Sequence, residues 1–206
     1  MPPLHVVSDD AVLGRPDFRD RAAAVLEAGG PNVALHLRGP RTAGRRLFEL
    51  ALALLPAARE ARATLLVNDR VDVALAAGAD GVQLPGRGMR PRDARRLLGA
   101  DPLVGSSVHS AREAAAATAD GADFLLVGTI HASASHPHLL AAGAELLRRI
   151  GDAVPRIAIG GVTPGRAAEL RGWCEGVAAL RGVWGQDEPA TAVTDYLESW
   201  TKGGTG

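Results

Sequence analysis

Cysteine and lysine are almost absent from this sequence of 206 residues. Cys174 is the single cysteine, which excludes an internal disulfide and any metal site built from several cysteines. Lys202 is the single lysine, and it lies in a polar, glycine-rich C-terminal segment. Catalysis through a Schiff base needs a desolvated lysine beside the reacting carbon. The sequence therefore argues against a lysine aldolase mechanism.

The chain also lacks an excess of either charge and any long apolar run. Its 23 Lys and Arg residues balance 23 Asp and Glu residues, and the two signs are interspersed, so no basic face suggests nucleic acid or a membrane surface. No apolar stretch reaches the roughly 18 residues of a membrane span, and the N-terminus lacks the layout of a signal peptide. We expect a cytoplasmic protein whose partner is a small molecule or a second copy of the chain.

What the sequence does contain is a regular alternation of short apolar strands and helical segments. With 47% hydrophobic residues, the chain can bury one substantial core, so we predict a single domain over 1–201 and a flexible tail over 202–206. Eight strands alternate with eight helices, which implies parallel strands joined by helical crossovers and predicts an α/β fold, the (β/α)8 TIM barrel. A doubly wound sheet is the main rival, but no glycine-rich turn follows Ser8. The predicted strands are 4–8, 33–38, 65–67, 81–84, 103–106, 124–127, 156–159 and 177–180, and the predicted helices are 18–28, 42–61, 71–77, 91–98, 111–119, 139–150, one opened by Thr163-Pro164, and 188–200.

Polar residues and glycines follow many of these strands. Because the carboxyl ends of the strands meet at one rim of such a barrel, these residues define the candidate site. They are Ser8, Arg38, Asn68, Asp69, Gln83, Ser106, Ser107, His109, Thr129, His131, Gly160, Gly161, Leu180 and Arg181.

The segments after strands seven and eight predict a phosphate site. Gly160 and Gly161 lack a Cβ that would keep a dianion away from the backbone, and Ala179, Leu180 and Arg181 follow the next strand. Arg181 can add a charge-assisted contact. The alternative is that the two glycines only form a tight turn.

The end of strand three carries Asn68 and Asp69, for which several roles stay open. The Asp69 carboxylate can bind Mg²⁺ with a diphosphate, act as a base, or cap the next helix. Arg38, at the end of strand two, can clamp a carboxylate or phosphate, or form a salt bridge with Asp69.

Histidines concentrate after strand six, at His131, His136 and His138. Three imidazoles in eight residues can bind zinc or transfer a proton, whereas Pro137 and the Ala/Ser content of the segment favour a mobile loop with solvated histidines. His36 and His109 stand alone, and such histidines are more often structural.

With these motifs laid out, the sequence resembles the thiamine phosphate synthase/TenI family over nearly its whole length. The motifs that carry the resemblance are LHLRG at 35–39, VNDRVDVALAAGADGVQLP at 67–85, VGSSVHSAREA at 104–114, ADFLLVGTIHASASHP at 122–137, IAIGGVTP at 157–164 and GVAAL at 176–180. The resemblance implies a (β/α)8 barrel in cytoplasmic thiamine biosynthesis. It also implies a thiazole phosphate ligand held at Gly160, Gly161, Ala179 and Leu180, and it is compatible with a homodimer.

The family contains two activities, and this chain departs from the motifs of both. The synthases join hydroxymethylpyrimidine diphosphate to thiazole phosphate with Mg²⁺ held by two aspartates and a lysine nearby. Asp69 matches the first aspartate, but the second falls on Gly88 and the lysine on His136. The TenI branch shifts a proton to aromatise a thiazole carboxylate phosphate without a metal, and its histidine aligns with Thr129. His131 lies two residues further on and faces the same side if the strand persists.

From these departures we predict a metal-independent, TenI-like thiazole tautomerase with no cofactor. His131 is the expected general acid/base and His109 the runner-up, with Arg38, Asn68, Ser107, Gly160, Gly161, Ala179, Leu180 and Arg181 binding the substrate. One alternative is a thiamine phosphate synthase with Mg²⁺ at Asp69. The other is a catalytically inactive protein that binds thiazole or thiamine phosphate.

Overall fold

The chain forms a closed barrel of eight parallel strands in a computed structural model that describes residues 1–132 and 142–203. Each strand pairs with its successor in the sequence, and the last pairs with the first through Val177 beside Leu4. The strands are β1 Leu4–Val7, β2 Val33–Leu37, β3 Thr64–Asn68, β4 Gly81–Leu84, β5 Leu103–Val108, β6 Phe124–Gly128, β7 Arg156–Ile159 and β8 Gly176–Ala179. The predicted single-domain (β/α)8 barrel is therefore confirmed.

Helices connect the strands and cover the outside of the ring. They are α1 Asp10–Leu13, α2 Phe18–Gly29, α3 Gly44–Ala61, α4 Val71–Ala77, α5 Pro91–Leu98, α6 Ala111–Ala119, α7 Glu145–Ile150, α8 Pro164–Leu170, α9 Arg181–Trp184 and α10 Pro189–Lys202, with a 3-10 turn at Gly30–Asn32. Within the described ranges, none of the helices is both long and apolar enough to cross a membrane.

The structure differs from the predicted elements at several points. The segment after Ser8 contains the short helix α1, and α9 adds a helix directly after β8. The helix predicted over 139–150 begins only at Glu145, since Ala142 and Gly143 are not helical and 139–141 lie outside the described residues. Lys202 ends α10 and so belongs to the helix, not to the predicted tail.

The buried apolar side chains form two separate layers. The larger layer packs the outer faces of the strands against the helices, as expected for parallel strands whose two faces are both covered. The smaller layer fills the inside of the ring with Val7, Ala34, Leu66, Phe124, Leu126, Ile157 and Ala178. Small residues make room there, because a Cβ on Gly105 would collide with the Phe124 ring and the Gln83 side chain.

Three polar side chains share this interior with the apolar layer. His5, His36 and Gln83 are at most 1% exposed. The His5 ring lies 5.0 Å from the His36 ring and 5.4 Å from the Phe124 ring, measured between centroids. Buried polar groups need hydrogen-bond partners. His5 pairs with His36, and His36 pairs with Asn68 at the rim of the barrel.

Candidate active site

A cavity of about 730 Å³ opens at the carboxyl ends of the strands. Its floor is apolar on the side of β6, β7, β8 and β1, where Leu126, Ile159, Ala178 and Val7 contribute. The floor is polar on the side of β3 to β5, where Asn68, Gln83 and Ser107 contribute. Such a floor suits a flat heterocycle that has one hydrogen-bonding edge.

The β7–β8 side of the cavity brings together the residues that were predicted to bind phosphate. Gly160, Gly161, Ala179, Leu180 and Arg181 all line the cavity. The glycines have φ angles of 103° and 60°, a region that L side chains rarely adopt. A Cβ on Gly160 would lie 2.6 Å from Thr129 Cγ2, and one on Gly161 would lie 2.5 Å from the Ala132 carbonyl oxygen. Packing in the tight turn therefore requires glycine at both positions. The backbone of the turn also faces the cavity.

Two residues that the sequence analysis missed support this side. Arg166, in the first turn of α8, lines the cavity and donates through Nη1 to the Gly161 carbonyl at 2.6 Å. Tyr196 of α10 donates its hydroxyl to the Val162 carbonyl at 2.7 Å, and a Cβ on Gly182 would collide with that hydroxyl. Burial raises the pKa of Tyr196 to about 12, so it remains a donor. Arg166 lies in the first turn of the helix that follows the glycine turn, which was a usable signal, whereas nothing local in the sequence marks Tyr196.

The opposite side of the cavity, at β2 and β3, carries Arg38, Asn68, Asp69 and Arg70. Asp69 has a φ of 64° and does not cap α4, whose N-cap is Arg70 without any side-chain cap bond. No ion pair joins Arg38 to Asp69 in the described part of the chain. Arg70 is instead paired with Asp72 at 2.5 Å. The capping and salt-bridge alternatives for Asp69 are therefore wrong, and its carboxylate faces the cavity.

Gly88 stands next to this carboxylate. A Cβ placed on Gly88 would lie 3.7 Å from Asp69 Oδ1, so a carboxylate at position 88 would share a site with Asp69. Within 1–132 and 142–203, no group of three or more His, Cys, Asp or Glu residues could hold a metal ion. Mg²⁺ commonly uses only one or two carboxylates together with substrate phosphates. Asp69 therefore fits a magnesium ion shared with a diphosphate but not one held by protein ligands alone.

Asn68 is connected to the barrel interior by two histidines. His36 Nδ1 lies 3.2 Å from Asn68 Oδ1, and His36 Nε2 lies 2.8 Å from His5 Nδ1. Burial lowers the pKa of His36 to about 4, and burial followed by the neighbouring His36 lowers the pKa of His5 well below its usual value. Both rings are therefore neutral near pH 7.

Ser107 and His109 of the β5 segment complete the polar edge of the cavity. Gln83 Nε2 donates to Ser107 Oγ at 3.0 Å and to the Leu84 carbonyl at 3.0 Å. His109 Nδ1 donates to the Gly128 carbonyl oxygen at 2.5 Å, and the His109 ring lines the cavity. In the neutral ring this leaves Nε2 with a lone pair, which is suited to accept a proton.

His131, the expected general acid/base, does not line the cavity, and neither do Ser8 and Ser106 among the predicted rim residues. Strand β6 ends at Gly128, so the alternation that would turn His131 inward does not continue. Its Nε2 atom is buried without a hydrogen-bond partner among the described residues. Burial and then the charge of Arg166 lower its pKa. A catalytic role for His131 stays a prediction, while His109, Arg38, Asn68 and Ser107 share one cavity with the glycines. His136 and His138 lie outside the described residues, so the zinc alternative stays untested.

The chain is a (β/α)8 barrel with a cavity at the rim of its strands. One side of this cavity is rich in glycine and arginine, and the opposite side carries a carboxylate. Residues 4–183 match the model of a family described as thiamine monophosphate synthase. The chain is 36% identical over 194 residues to the thiamine-phosphate synthase of Methanoculleus marisnigri, covering 92% of this chain and 91% of that protein. It is 39% identical over 197 residues to that of Chloroflexus aurantiacus, covering 92% and 88%.

A solved structure agrees with these sequence matches. The thiamine phosphate pyrophosphorylase from Pyrococcus furiosus superposes with a TM-score of 0.83 at 29% identity, covering 97% of this chain and 95% of that one. The chain belongs to the thiamine monophosphate synthase family, an enzyme family of thiamine biosynthesis. The relatives carry the name of the synthase, and nothing in these comparisons specifically supports the tautomerase branch.

Proposed function

We propose that the chain is a thiamine phosphate synthase that joins hydroxymethylpyrimidine diphosphate to thiazole phosphate and releases diphosphate. The observation that carries the proposal is the similarity to proteins of that name over about nine-tenths of both chains. This reverses the preference for a tautomerase that Gly88 and His136 suggested from the sequence.

The shape of the cavity is consistent with two anionic substrates. Strands β3 and β7 lie on opposite sides of the eight-stranded ring, which separates Asp69 and Arg38 from Gly160, Gly161 and Arg166. The thiazole phosphate would bind at the glycine side, where Arg166 and Arg181 contribute positive charge. The pyrimidine diphosphate would bind at the Asp69 side, with its ring on the floor between them.

Mg²⁺ would bind at Asp69 together with the diphosphate of the substrate. When bound, the ion would neutralise charge that builds up on the departing diphosphate. Arg38 lines the same side and would contribute a further positive charge to this group. The residues of this chain thus orient the two substrates so that the thiazole ring meets the carbon that loses diphosphate.

A thiazole tautomerase is the second candidate, favoured by the single carboxylate at the Asp69 side. The family's second aspartate is Gly88 here, next to Asp69 Oδ1, so charge compensation for a diphosphate is reduced. A metal-free proton shift would need only a phosphate site and one acid/base group. His109 Nε2 would supply that group, because Nδ1 is committed to the Gly128 carbonyl.

The two activities are separated by assaying the purified protein with both substrate sets, each with Mg²⁺ and with a chelator. We expect thiamine phosphate to form only with Mg²⁺, and Asp69→Ala to reduce this rate by about 100-fold or more. Asp101→Asn, an exposed carboxyl substitution, serves as the matched control.

Other outcomes would reject the synthase. Tautomerisation that persists in chelator and is lost in His109→Gln would establish the second candidate. Binding of thiazole phosphate without turnover of either substrate set would establish an inactive binder.

A further inference from the structure

A chain of hydrogen bonds crosses the barrel interior from β1 to the cavity floor. It runs from His5 through His36 to Asn68, one residue from each of three consecutive strands. Both histidines are 0% exposed, so water does not compete for their ring nitrogens. Asn68 is partly exposed and lines the cavity. The chain therefore links a fully buried pair to a side chain that can contact a ligand.

The direction of the protons in this chain follows from its cavity end. Asn68 presents Oδ1 to His36 Nδ1, and an amide oxygen only accepts, so His36 carries its proton on Nδ1. A neutral imidazole has one N–H, which leaves His36 Nε2 as an acceptor. His5 Nδ1 must then donate to it across 2.8 Å.

The same reasoning shows which hydrogen bonds Ser107, at the other end of the polar edge, accepts and which it can donate. Gln83 Nε2 donates to Ser107 Oγ, so the serine hydroxyl hydrogen remains available to donate into the cavity. Asn68 Oδ1 is engaged by His36, and among residues 1–132 and 142–203 no acceptor takes the two amide hydrogens of Asn68, so they are likewise available. Both side chains thus offer donors from the floor.

We propose that His5 and His36 are positioning residues that hold the Asn68 amide with its N–H groups toward the ligand, which makes this part of the floor selective for hydrogen-bond acceptors. The ligand class is a heterocycle that presents a ring nitrogen or a carboxylate oxygen to β3. The identity of the substrate rests on the proposed function, but the orientation of the amide does not.

The orientation is tested directly on the wild-type protein by ¹⁵N NMR of its histidine rings, with His36→Gln used to assign the signals. We expect His36 Nδ1 to be protonated and Nε2 to be unprotonated at pH 7. A proton on His36 Nε2 would reverse the chain, turn the Asn68 oxygen toward the cavity and overturn the proposal. This measurement needs no substrate, so it stands even if the proposed reaction fails.

The consequence for recognition is tested by a double-mutant cycle, with calorimetric binding of thiazole phosphate and of hydroxymethylpyrimidine diphosphate as the readout. We expect His5→Leu to weaken binding of one of these ligands by about tenfold in the wild-type background and by less than twofold in Asn68→Ala. His5→Gln keeps an N–H donor and should restore most of the affinity.

Equal losses in the two backgrounds would show that His5 is merely structural and would overturn the proposal. So would a His5→Leu protein that folds and binds both ligands as the wild type does. Failure of the wild type to bind either ligand would reject the proposed function and the recognition claim together, and the NMR result would then decide the amide orientation alone.

Discussion

At the scale of single residues, Arg166 ties the glycine turn to the helix that follows it. Its guanidinium donates to the Gly161 carbonyl while lining the cavity. A charged donor fixed in this way is placed to meet a phosphate without a large further loss of side-chain entropy. Arg166 is thus the most informative residue with which to test the phosphate side.

We expect Arg166→Ala to weaken thiazole phosphate binding by roughly five- to twentyfold, because a charge-assisted hydrogen bond is lost. Arg166→Lys keeps the charge but not the fork geometry and should have an intermediate affinity. Isothermal titration measures all three proteins, with Arg149→Ala, an exposed arginine on α7, as the control. Equal affinity of wild type and Arg166→Ala would contradict a phosphate at this side.

At the Asp69 side we predict a substitution that increases the apparent affinity for Mg²⁺. Gly88→Asp would place a second carboxylate beside Asp69 Oδ1, so we expect the apparent affinity for Mg²⁺ in the coupling assay to rise by about tenfold. Gly88 has a φ of 155°, and a Cβ there would lie 3.3 Å from Pro85 Cγ, so the substitution also strains the loop. Gly88→Asn imposes the same strain without the charge. If the two variants respond alike to Mg²⁺, the missing carboxylate does not limit the apparent affinity for Mg²⁺.

At the scale of elements, the helices α3 and α4 end in the same backbone conformation with different residues. Arg62 ends α3 at a φ of 57° and Gly78 ends α4 at a φ of 69°, and both donate N–H groups to the last turn. Glycine adopts this region without the penalty that a Cβ brings. One cap is therefore strained and the other is relaxed.

Exchanging the residue types should move stability in opposite directions. We expect Arg62→Gly to raise the free energy of unfolding by roughly 0.5 kcal/mol and Gly78→Ala to lower it by about 1 kcal/mol. No atom lies within 4 Å of a Cβ built on Gly78. The loss of stability in Gly78→Ala therefore comes from the backbone conformation and not from a steric clash. Urea unfolding measures both, and a shift of the same sign in the two proteins would refute the argument.

Elements whose ends carry a local signal were predicted closely from the sequence. Helix α5 begins at Pro91, as expected for a proline in the first turn, and α4 stops before Gly78. Helix α7 begins later than predicted because the Leu/Ala run before Glu145 carries no residue that marks a helix start. The expectation that His131 faces inward required the strand to persist, but β6 ends at Gly128.

The candidate site was predictable where it follows strand ends and unpredictable where it depends on contacts between distant segments. Asn68, Asp69, Ser107 and the glycine turn come directly after or at the end of strands, so the topology alone brings them together. The bond from Tyr196 to Val162 joins residues 34 positions apart. No pattern in the sequence encodes that contact, and the His5–His36 bond is of the same kind.

At the scale of the whole molecule, the interior of the barrel couples folding to pH. His5 and His36 are held neutral by burial, and the pKa of each is lowered in the folded state. In the unfolded chain their pKa values return to about 6.5. Below that pH the unfolded state binds more protons than the folded state, so acid favours unfolding.

This difference predicts a loss of stability between about pH 6.5 and pH 4, the lower limit being the folded pKa of His36. Each histidine should remove up to about 1.4 kcal/mol per pH unit within this window. The slope of unfolding free energy against pH, measured with urea from pH 8 to pH 5, should therefore approach two protons for His5 and His36 together, with a further contribution from His131, whose pKa is also lowered.

His36→Gln should reduce that slope by about one proton whatever its effect on stability at neutral pH, because only the slope counts bound protons. Asp101→Asn removes an exposed carboxyl and leaves both buried histidines in place, so its curve should run parallel to the wild type. If His36→Gln also runs parallel, then His36 binds its proton equally well in both states. Burial would in that case not keep His36 neutral in the folded protein, and the direction inferred for its protons would lose its basis.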